Sequence, residues 1–522
     1  MERQPEMISA APTSATVVEG ANSGPRRIQY LGVTTCNRTT QLSRCLFSYV
    51  THLQNYRRHY DLVVADDSPG ADARARCREW LRSFSRKFQV RVFYAGCEEK
   101  AEFIHRLAAA GIVPEVARFA LSNPLKIVAS PGSNRNALLL HTVGALALSC
   151  DDDSVCCLGD LRNGDQSVRL SPSGNANLDT HFVTSRRAAV DSVPRASYDL
   201  MGAHEELLGR PLNDLAPPSK QTPSEYAIRF GARTLGDLIE GKGRVRITLS
   251  GVYGDSGMPN LVGFMLARGK IRERFLERWN PITESQAPRN IIRGVPRPVI
   301  SPVAGVMTTT ATGLDNSASL PPFVPSGRGE DTLFGFMAQK CFPDIYMGYV
   351  PIALLHCPEQ EKPYEPLGSP FKLADILMMI LDGCPSAIGP TVKDRLEVAG
   401  KYFIECGLAA HGDFEDYVLS AARRRIAMYL ESCERYLRDF NAEPTHWAQA
   451  MRSWKARLEL QLVSPDAGAP ADVPTVEANG DRYAVAQRFV LKFGELLRTW
   501  PAIIEATLSL RSAGYGIGQG LT

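Results

Sequence analysis

The alternation of short apolar segments with helical segments, between residues 27 and 150, most constrains the fold of this chain. Apolar runs that suit buried strands are found at 27–35, 61–70, 90–96 and 146–150. Segments with helical spacing lie between them, at 41–56, 71–86 and 133–144. Strands that alternate with helices of this length form a parallel sheet with helices on both faces. The sequence therefore predicts an α/β fold with a Rossmann-like, mostly parallel sheet.

The composition changes twice along the chain and divides it into three predicted parts. Residues 1–25 are rich in Ala, Ser, Thr, Pro and Gly and lack periodicity, which is typical of disordered segments. Residues 26–360 carry the predicted strands. Residues 361–522 are rich in helix formers, and we expect an α-helical C-terminal domain there. A Pro- and Ala-rich stretch at 464–480 predicts a loop before a last pair of helices.

The overall composition argues against several classes of protein. A formal net charge of +3 over 522 residues is close to balance, whereas proteins that follow nucleic acid carry a strong basic excess. The 12 cysteines include no CxxC pair, so a structural zinc finger is not expected. No signal peptide is recognisable, and the longest apolar stretches are shorter than the roughly 20 residues that span a bilayer. We expect a cytoplasmic protein with no transmembrane segment, for which peripheral membrane contact stays open.

Side chains with useful chemistry gather where the predicted strands end. They follow the first, second and fourth strands, at 35–38, 66–67 and 151–153. In parallel sheets, ligands bind beyond the carboxyl ends of the strands, where the strand order reverses. This shared position indicates a ligand site more strongly than any one motif does.

The acidic triplet in CDDDS (150–154) is the candidate for a metal site. An apolar strand delivers three aspartates into a loop, and Asp151 and Asp153 point the same way if the backbone stays extended. Mg²⁺ and Mn²⁺ prefer carboxylate oxygens and keep water and phosphate in their coordination shell, so one or two protein carboxylates suffice. A solvated acidic loop or a helix cap is the alternative, and the position after a buried strand favours the metal.

A second acidic pair, Asp66 and Asp67, ends the strand in VVADDS (63–68). A carboxylate here could accept hydrogen bonds from a nucleoside base or a ribose hydroxyl. Capping of the following turn is an equally good explanation for Asp67 and a weaker one for Asp66.

Two positions near residue 340 also have a structural explanation beside a functional one. Glu330 and Asp331 precede an apolar helix, where acids complement the helix dipole and need no catalytic role. His356 ends an apolar strand, and a lone histidine is more often structural than a ligand. Its ring could still complete the coordination of a metal held by Asp153.

Together these motifs resemble those of the family 2 glycosyltransferases and their relatives with the A-type glycosyltransferase fold. The resemblance covers residues 27–360 and follows in order TTCNR (34–38), VVADDS (63–68), GSNRNALL (132–139), SCDDDS (149–154), GEDTLFG (329–335) and His356. It implies a catalytic domain at 26–360 that moves a sugar from a nucleotide-diphosphate sugar, usually a uridine diphosphate sugar, to an acceptor hydroxyl.

The resemblance also implies roles for individual residues. It assigns the donor to Thr35, Arg38, Asp66, Asp67, Arg135, Asn136 and Asp151. A divalent cation, Mn²⁺ or Mg²⁺, would be held by Asp151, Asp153 and His356 on the leaving diphosphate. Asp331, with Glu330 beside it, would be the base that deprotonates the acceptor, so that transfer inverts the sugar.

Two other functions stay open on the sequence. A nucleotidyltransferase would also use aspartates and a metal, but the early Gly-rich phosphate loop of such enzymes is not found at TTCNR. A non-catalytic sugar-nucleotide-binding or scaffold protein has no need to bring Asp331 to the aspartate triplet. For His204, Glu205 and Asp255, which lie between the triplet and Glu330, structural roles are the safer prediction. No QxxRW-type signature of processive synthases is found, which favours transfer of a single sugar.

Overall fold

The computed structural model of the chain describes most residues from Arg26 to Leu521. The described ranges are 26–171, 178–215, 223–279, 287, 289–302, 307, 310–361, 363–368, 371–385, 388–441, 443–474 and 480–521. The predicted disordered segment at 1–25 and part of the predicted loop, at 475–479, lie outside them. Within these ranges, no helix is both long enough and apolar enough to cross a membrane.

The strands of the described chain all belong to one sheet. They are β1 Ile28–Thr35, β2 Asp61–Asp66, β3 Val92–Ala95, β4 Leu146–Asp151, β5 Ser154–Asp160, β6 Arg169–Leu170, β7 Asp179–Val183, β8 Arg244–Asp255, β9 Asn290–Gly294, β10 Val299–Ser301, β11 Ala311–Asp315, β12 Ile345–His356 and β13 Gln519–Gly520.

The helices fall into an N-terminal set that alternates with strands and a C-terminal set that does not. They are α1 Thr39–Asn55, α2 Ala71–Phe88, α3 Cys97–Ala109, α4 Pro114–Leu121, α5 Pro131–Thr142, α6 Arg186–Ser192, α7 Leu200–Glu205, α8 Leu212–Leu215, α9 Pro223–Ile239, α10 Val262–Met265, α11 Gly269–Arg278, α12 Glu330–Cys341, α13 Leu373–Gly383, α14 Val392–Leu408, α15 His411–Asp439, α16 Thr445–Leu462 and α17 Arg482–Ser512.

The sheet is mixed, with the order β13-β3-β2-β1-β4-β11-β8-β12-β10-β6 and with β5, β7 and β9 paired beside this path. Strands β3, β2, β1 and β4 are parallel, as are the long strands β8 and β12. Strand β11 runs antiparallel between β4 and β8. The predicted α/β class is confirmed. The order reverses between β1 and β4, which is where a ligand site is expected in such sheets.

Alternate residues of the strands enter two hydrophobic cores, one on each face of the sheet. On β2, Val63 and Ala65 belong to one core, whereas Leu62 and Val64 belong to the other. Helices α1 and α2 cover the second face, and α3, α4 and α5 cover the first. Both faces of these strands are therefore buried, as their continuous apolar sequences predict.

The helical C-terminal region is confirmed, and it packs into the core of the α/β part. In α17, the ring centroid of Phe489 lies 5.0 Å from that of Phe119 in α4. The Trp500 indole donates a 2.8 Å hydrogen bond to the Leu320 carbonyl. After α17, strand β13 pairs with the free edge of β3. The predicted final pair of helices is wrong: α17 is one helix that continues through Pro501. The sheet and the C-terminal helices are consequently parts of one packed structure.

One helix boundary near the ligand site also differs from the prediction. The helix expected to begin at Ser133 begins at Pro131 instead, so that Ser133 lies within the first turn of α5. Proline at this position costs nothing, because its missing N–H would have no partner in the first turn anyway. The Ser133 hydroxyl is thereby free to point at a carboxylate of the site.

Glycines bring α14 and α17 into backbone contact. A Cβ on Gly494 would lie 2.7 Å from the Ile404 nitrogen and 2.8 Å from the Gly400 oxygen. A Cβ on Gly407 would lie 2.7 Å from the Leu491 Cα. Real side chains do not tolerate such distances to backbone atoms, so either helix would have to move. Glycine is required here for close approach.

We expect Gly494→Ala to lower the free energy of unfolding by about 1–3 kcal/mol, because the methyl group overpacks the α14–α17 contact. The measurement is the melting temperature followed by circular dichroism. Gly412→Ala is the matched control, since a methyl group on Gly412 in α15 would have no atom within 4 Å. Alanine there improves helix propensity and leaves the melting temperature equal or higher.

Candidate functional site

The carboxyl ends of β1, β2 and β4 meet at one edge of the sheet. In the parallel register, Thr35 lies beside Asp66 on β2, and Thr34 lies beside Asp151 on β4. These ends open into a cleft of about 1470 Å³, to which the ends of β8 and β12 and the start of α12 also contribute. The three predicted strand-end groups are therefore neighbours in space.

The aspartate triplet forms a turn between β4 and β5, so its backbone is not extended. The three side chains consequently take different partners. Asp152, which is 3% exposed, accepts hydrogen bonds from the Thr35 hydroxyl at 2.7 Å and from Arg38 at 3.1 Å. Burial and the neighbouring Asp153 charge raise the pKa of Asp152 to about 7. The middle aspartate, which the sequence did not single out, thus anchors the turn to β1.

Asp153 and His356 face each other across the junction of β5 and β12. His356 Nε2 lies 3.4 Å from Asp153 Oδ1, and its Nδ1–H donates to the Asp255 carbonyl at 2.8 Å. Burial opposes both charges, but the ion pair lowers the pKa of Asp153 to about 2 and raises the pKa of His356 to about 9. Arg38 also reaches Asp153, at 3.1 Å.

Asp153 and His356 offer donor atoms that suit a divalent cation, which would displace the proton that His356 holds in the ion pair. The Asp255 carbonyl fixes one ring nitrogen of His356 and leaves Nε2 directed at the carboxylate, which is how ligating histidines are commonly oriented. Across the described ranges, no three His, Cys, Asp or Glu side chains converge as a ready-made metal site. Asp151 instead pairs with Arg135 at 2.7 Å. Two protein ligands are enough for Mg²⁺ or Mn²⁺ when phosphate and water complete the shell.

The two acids at the end of β2 have opposite surroundings. Asp66 is fully buried and accepts hydrogen bonds from Ser68 and, at 2.7 Å, from the Tyr94 hydroxyl. Asp66 therefore closes the turn, a structural role that on the sequence alone was an equally good explanation for Asp67 and a weaker one for Asp66. Asp67 lines the cleft and pairs with the buried Lys100. Position along the strand decides this difference, because side chains alternate between the faces of the sheet.

Hydroxyl and amide groups of the α5 region hold Asp67 and its surroundings in place. Ser130 and Ser133 both donate to Asp67 Oδ2 at 2.7 Å. Lys100 also donates to Asn134, whose amide nitrogen donates to the Thr35 carbonyl at 3.2 Å. The network joins β1, β2, α3 and α5 at the edge of the cleft.

Arg135 and Asn136, adjacent on α5, serve different purposes. The Arg135 guanidinium is buried and lies between Asp151 and Glu330. Burial disfavours its charge, but the two carboxylates raise the pKa of Arg135, so it remains a cation. Asn136 is fully buried, donates to the Ala120 and Phe323 carbonyls at 3.0 Å and accepts from the Phe323 N–H at 2.8 Å. Asn136 thus ties α5 to α4 and to the segment before α12, and its side chain does not line the cleft.

Asp331 lies in the first turn of α12 and lines the same cleft as the triplet. Its carboxylate accepts a 2.7 Å hydrogen bond from the Thr332 N–H. Burial and the adjacent Glu330 raise the pKa of Asp331 to about 7, while Arg135 opposes that rise. Glu330 differs, since its carboxylate is taken up by Arg135. Of the pair, Asp331 is the carboxyl poised to exchange a proton near neutral pH.

The cleft gathers nine of the eleven residues predicted for the site. Those that line it are Thr35, Arg38, Asp67, Arg135, Asp151, Asp153, Glu330, Asp331 and His356. The two that do not are Asp66 and Asn136, whose side chains are bonded within the protein beneath it. The structure therefore brings nine of the predicted side chains to one cleft.

Further residues of the cleft were not predicted as functional. No motif marks Arg289, which lines the cleft and pairs with Asp255, or Lys100, which lies behind the lining and pairs with Asp67. Asp152, within the predicted triplet, and Arg328, just before GEDTLFG, also line the cleft, but neither was named as a site residue. Asp255 accepts a 2.8 Å hydrogen bond from Arg289 and holds the ring of His356, so its role is supporting, as expected.

The two other residues named between the triplet and Glu330, His204 and Glu205, are structural, as expected. His204 lies in the core, with its ring nitrogens 2.7 Å from the Thr248 hydroxyl and 3.0 Å from the Ser250 hydroxyl. Glu205 binds Arg58 and the Ile28 N–H. Neither residue borders the cleft.

Comparison with known proteins adds no relative: no protein-family model, no curated protein and no solved structure matches this chain.

We expect Asp331→Asn to raise the melting temperature at pH 8 and to leave it unchanged at pH 4. The folded protein holds the Asp331 proton up to about pH 7, whereas the unfolded chain releases it near pH 4. Stability therefore falls as pH rises between these values, and the full penalty is present above about pH 7. For large domains, about 1 kcal/mol corresponds to roughly 2–4 °C. Thermal melts of the wild type and the variant across this range measure the difference.

Asp466→Asn serves as the control for this experiment, because Asp466 is exposed and does not line the cleft. An equal effect of both variants, or an Asp331→Asn effect that does not change with pH, would contradict a proton held by Asp331.

Proposed function

We propose that this chain is a metal-dependent glycosyltransferase that moves a sugar from a nucleotide-diphosphate sugar to an acceptor hydroxyl. One observation carries the proposal: a single cleft at the reversal of strand order is lined by Asp153 and His356 together with Asp331. An acidic cation site and a carboxylate base are the two groups that transfer with inversion requires. The A-type glycosyltransferase fold is part of this proposal, and a uridine diphosphate sugar is the first donor to test.

The diphosphate of the donor requires positive charge as it leaves. Asp153 and His356 would hold Mn²⁺ or Mg²⁺, with Asp151 beside them, and a bound cation neutralises the charge that develops on the leaving diphosphate. Arg38, which is part-exposed and already bound to Asp152 and Asp153, lies where it can contact phosphate oxygens. Thr35 and Asp67 border the same end of the cleft and would contact the nucleoside.

The acceptor requires a base. Asp331 takes the proton of the acceptor hydroxyl while the oxygen forms its bond to the anomeric carbon and the bond to the diphosphate oxygen breaks. A carboxyl with a pKa of about 7 is well matched to this task, because it is largely ionised just above neutral pH and still basic enough to accept the proton. Glu330, held by Arg135, keeps this part of α12 in position.

The approach of Asp331 to the triplet favours catalysis over a sugar-nucleotide-binding scaffold. A scaffold gains nothing from a half-buried carboxyl with a raised pKa, since removing an ionisable group from water destabilises the fold. The nucleotidyltransferase alternative shares the aspartates and the metal, and it differs in its reactants. It consumes a nucleoside triphosphate and a sugar 1-phosphate and releases pyrophosphate.

We expect slow, Mn²⁺-dependent hydrolysis of one nucleotide sugar by the wild type and a loss on the order of 100-fold or more in Asp153→Ala. The assay measures nucleoside diphosphate released from a panel of donors. Asp160→Ala is the matched control, because Asp160 lies at the far end of β5 and pairs with Arg162. Equal activity of both variants would contradict the metal site. Pyrophosphate release from a triphosphate and a sugar phosphate would favour the nucleotidyltransferase.

We expect Asp331→Asn to bind the donor as the wild type does and to lose about 100- to 10,000-fold in transfer, because the base is gone. Donor binding is measured by isothermal titration calorimetry and turnover by product formation. The wild-type rate should rise with pH through about 7, as Asp331 ionises. A variant that retains the wild-type rate would exclude Asp331 as the base.

A further inference from the structure

The cleft does not end at the catalytic carboxyls. It continues into a groove between α13, α15 and α16 of the helical C-terminal region. Its volume of about 1470 Å³ exceeds the roughly 300–1,000 Å³ of an ordinary small-molecule site. A nucleotide sugar in the strand-end part would therefore leave the groove to a second ligand, which would lie against the same cleft as Asp331.

Soft apolar side chains and aromatic rings form much of this groove. Met378 and Met379 of α13 and Met428 of α15 are partly or fully exposed, and Met428 keeps 68% of its surface accessible. Tyr417 and Tyr429 of α15 border the groove with part of each ring accessible. Such side chains pack well against the C–H groups of a ligand. The tyrosine hydroxyl can add a hydrogen bond to the same ligand.

The charged side chains of the groove are balanced. Among its described residues beyond 361, the bases Lys372, Arg424 and Arg425 are matched by the acids Glu365, Asp375 and Asp382. Arg425 binds Asp375, and its guanidinium lies 5.8 Å from the Tyr429 ring. Lys372 binds Glu365 at 2.8 Å. The groove thus offers donors and acceptors side by side without a net charge that would select an anion or a cation.

We propose that this groove binds the non-reacting part of a saccharide acceptor. Each sugar hydroxyl both donates and accepts hydrogen bonds, which matches paired arginine and aspartate, and the C–H face of a sugar ring matches tyrosine and methionine. The groove is continuous with the base, so a saccharide held there presents its terminal hydroxyl towards Asp331. This assignment rests on the proposed glycosyltransferase function, and it gives the helical C-terminal region the task of acceptor recognition.

The test measures binding of fluorescently labelled gluco-, galacto- and chito-oligosaccharides to the full chain by fluorescence anisotropy. The variants are Arg424→Ala and Tyr429→Ala in the groove. The matched controls are Arg423→Ala, at the adjacent exposed arginine outside the cleft, and Tyr515→Ala, at an exposed tyrosine on the C-terminal tail. Mn²⁺-dependent donor hydrolysis is measured in parallel for every variant.

We expect at least one saccharide to bind, with about a tenfold loss of affinity in each groove variant, no loss in the controls and unchanged donor hydrolysis throughout. Arg424 is exposed, so its variant folds even if the loss of Tyr429 disturbs the α15–α16 contact. Saccharide binding that is equal in groove and control variants would overturn the proposal. Intact donor hydrolysis without binding of any of these saccharides would overturn it as well and leave the glycosyltransferase proposal standing. If the wild type hydrolyses no donor, the glycosyltransferase proposal itself is overturned.

Discussion

The buried ion pairs of Arg135 are the interaction on which the site depends. One guanidinium, 4% exposed, joins Asp151 at the end of β4 to Glu330 at the start of α12. Burying Arg135 and Glu330 is costly, and the attraction of Arg135 to Glu330 and to the half-buried Asp151 offsets the cost only while the geometry is kept. The pairing therefore holds α12 at the sheet edge. Asp331, the next residue, is placed in the cleft by the same contact.

The charges of most acids in the cleft are neutralised by ion pairs with basic side chains. Asp152 and Asp153 share Arg38, Asp67 takes Lys100, Asp151 takes Arg135, and Asp255 takes Arg289. An unpaired cluster of this many carboxylates would protonate or repel, because low-dielectric surroundings strengthen like-charge repulsion. The pKa values of Asp152 and Asp331 are both raised to about 7. Asp152 is bonded to Thr35 and Arg38, whereas Asp331 lies half-buried in the first turn of α12, which makes it the more accessible of the two.

The C-terminal helices are joined to the sheet more closely than their composition indicated. Helix α17 packs on α4 and α14, and β13 continues the sheet beyond β3. Helices α15 and α16 form a third hydrophobic core with α10 and α11, and one side of that core borders the cleft. Because the helical region is held against both the sheet and the cleft, its surface can contribute to recognition of a ligand that reaches the strand ends.

The sequence by itself determined the strands β1 to β4, the helices α1, α2 and α5 and the polar residues at the strand ends, whereas α3 and α4 were not predicted. These features are local, since periodicity and strand-end chemistry are read over a few residues. The tertiary structure alone decided which acid closes the β2 turn, that the triplet bends at Asp152, and that Lys100 pairs with Asp67. It also decided that α17 stays one helix and that the cleft reaches α15. Each of these depends on contacts between distant segments, which no local pattern encodes.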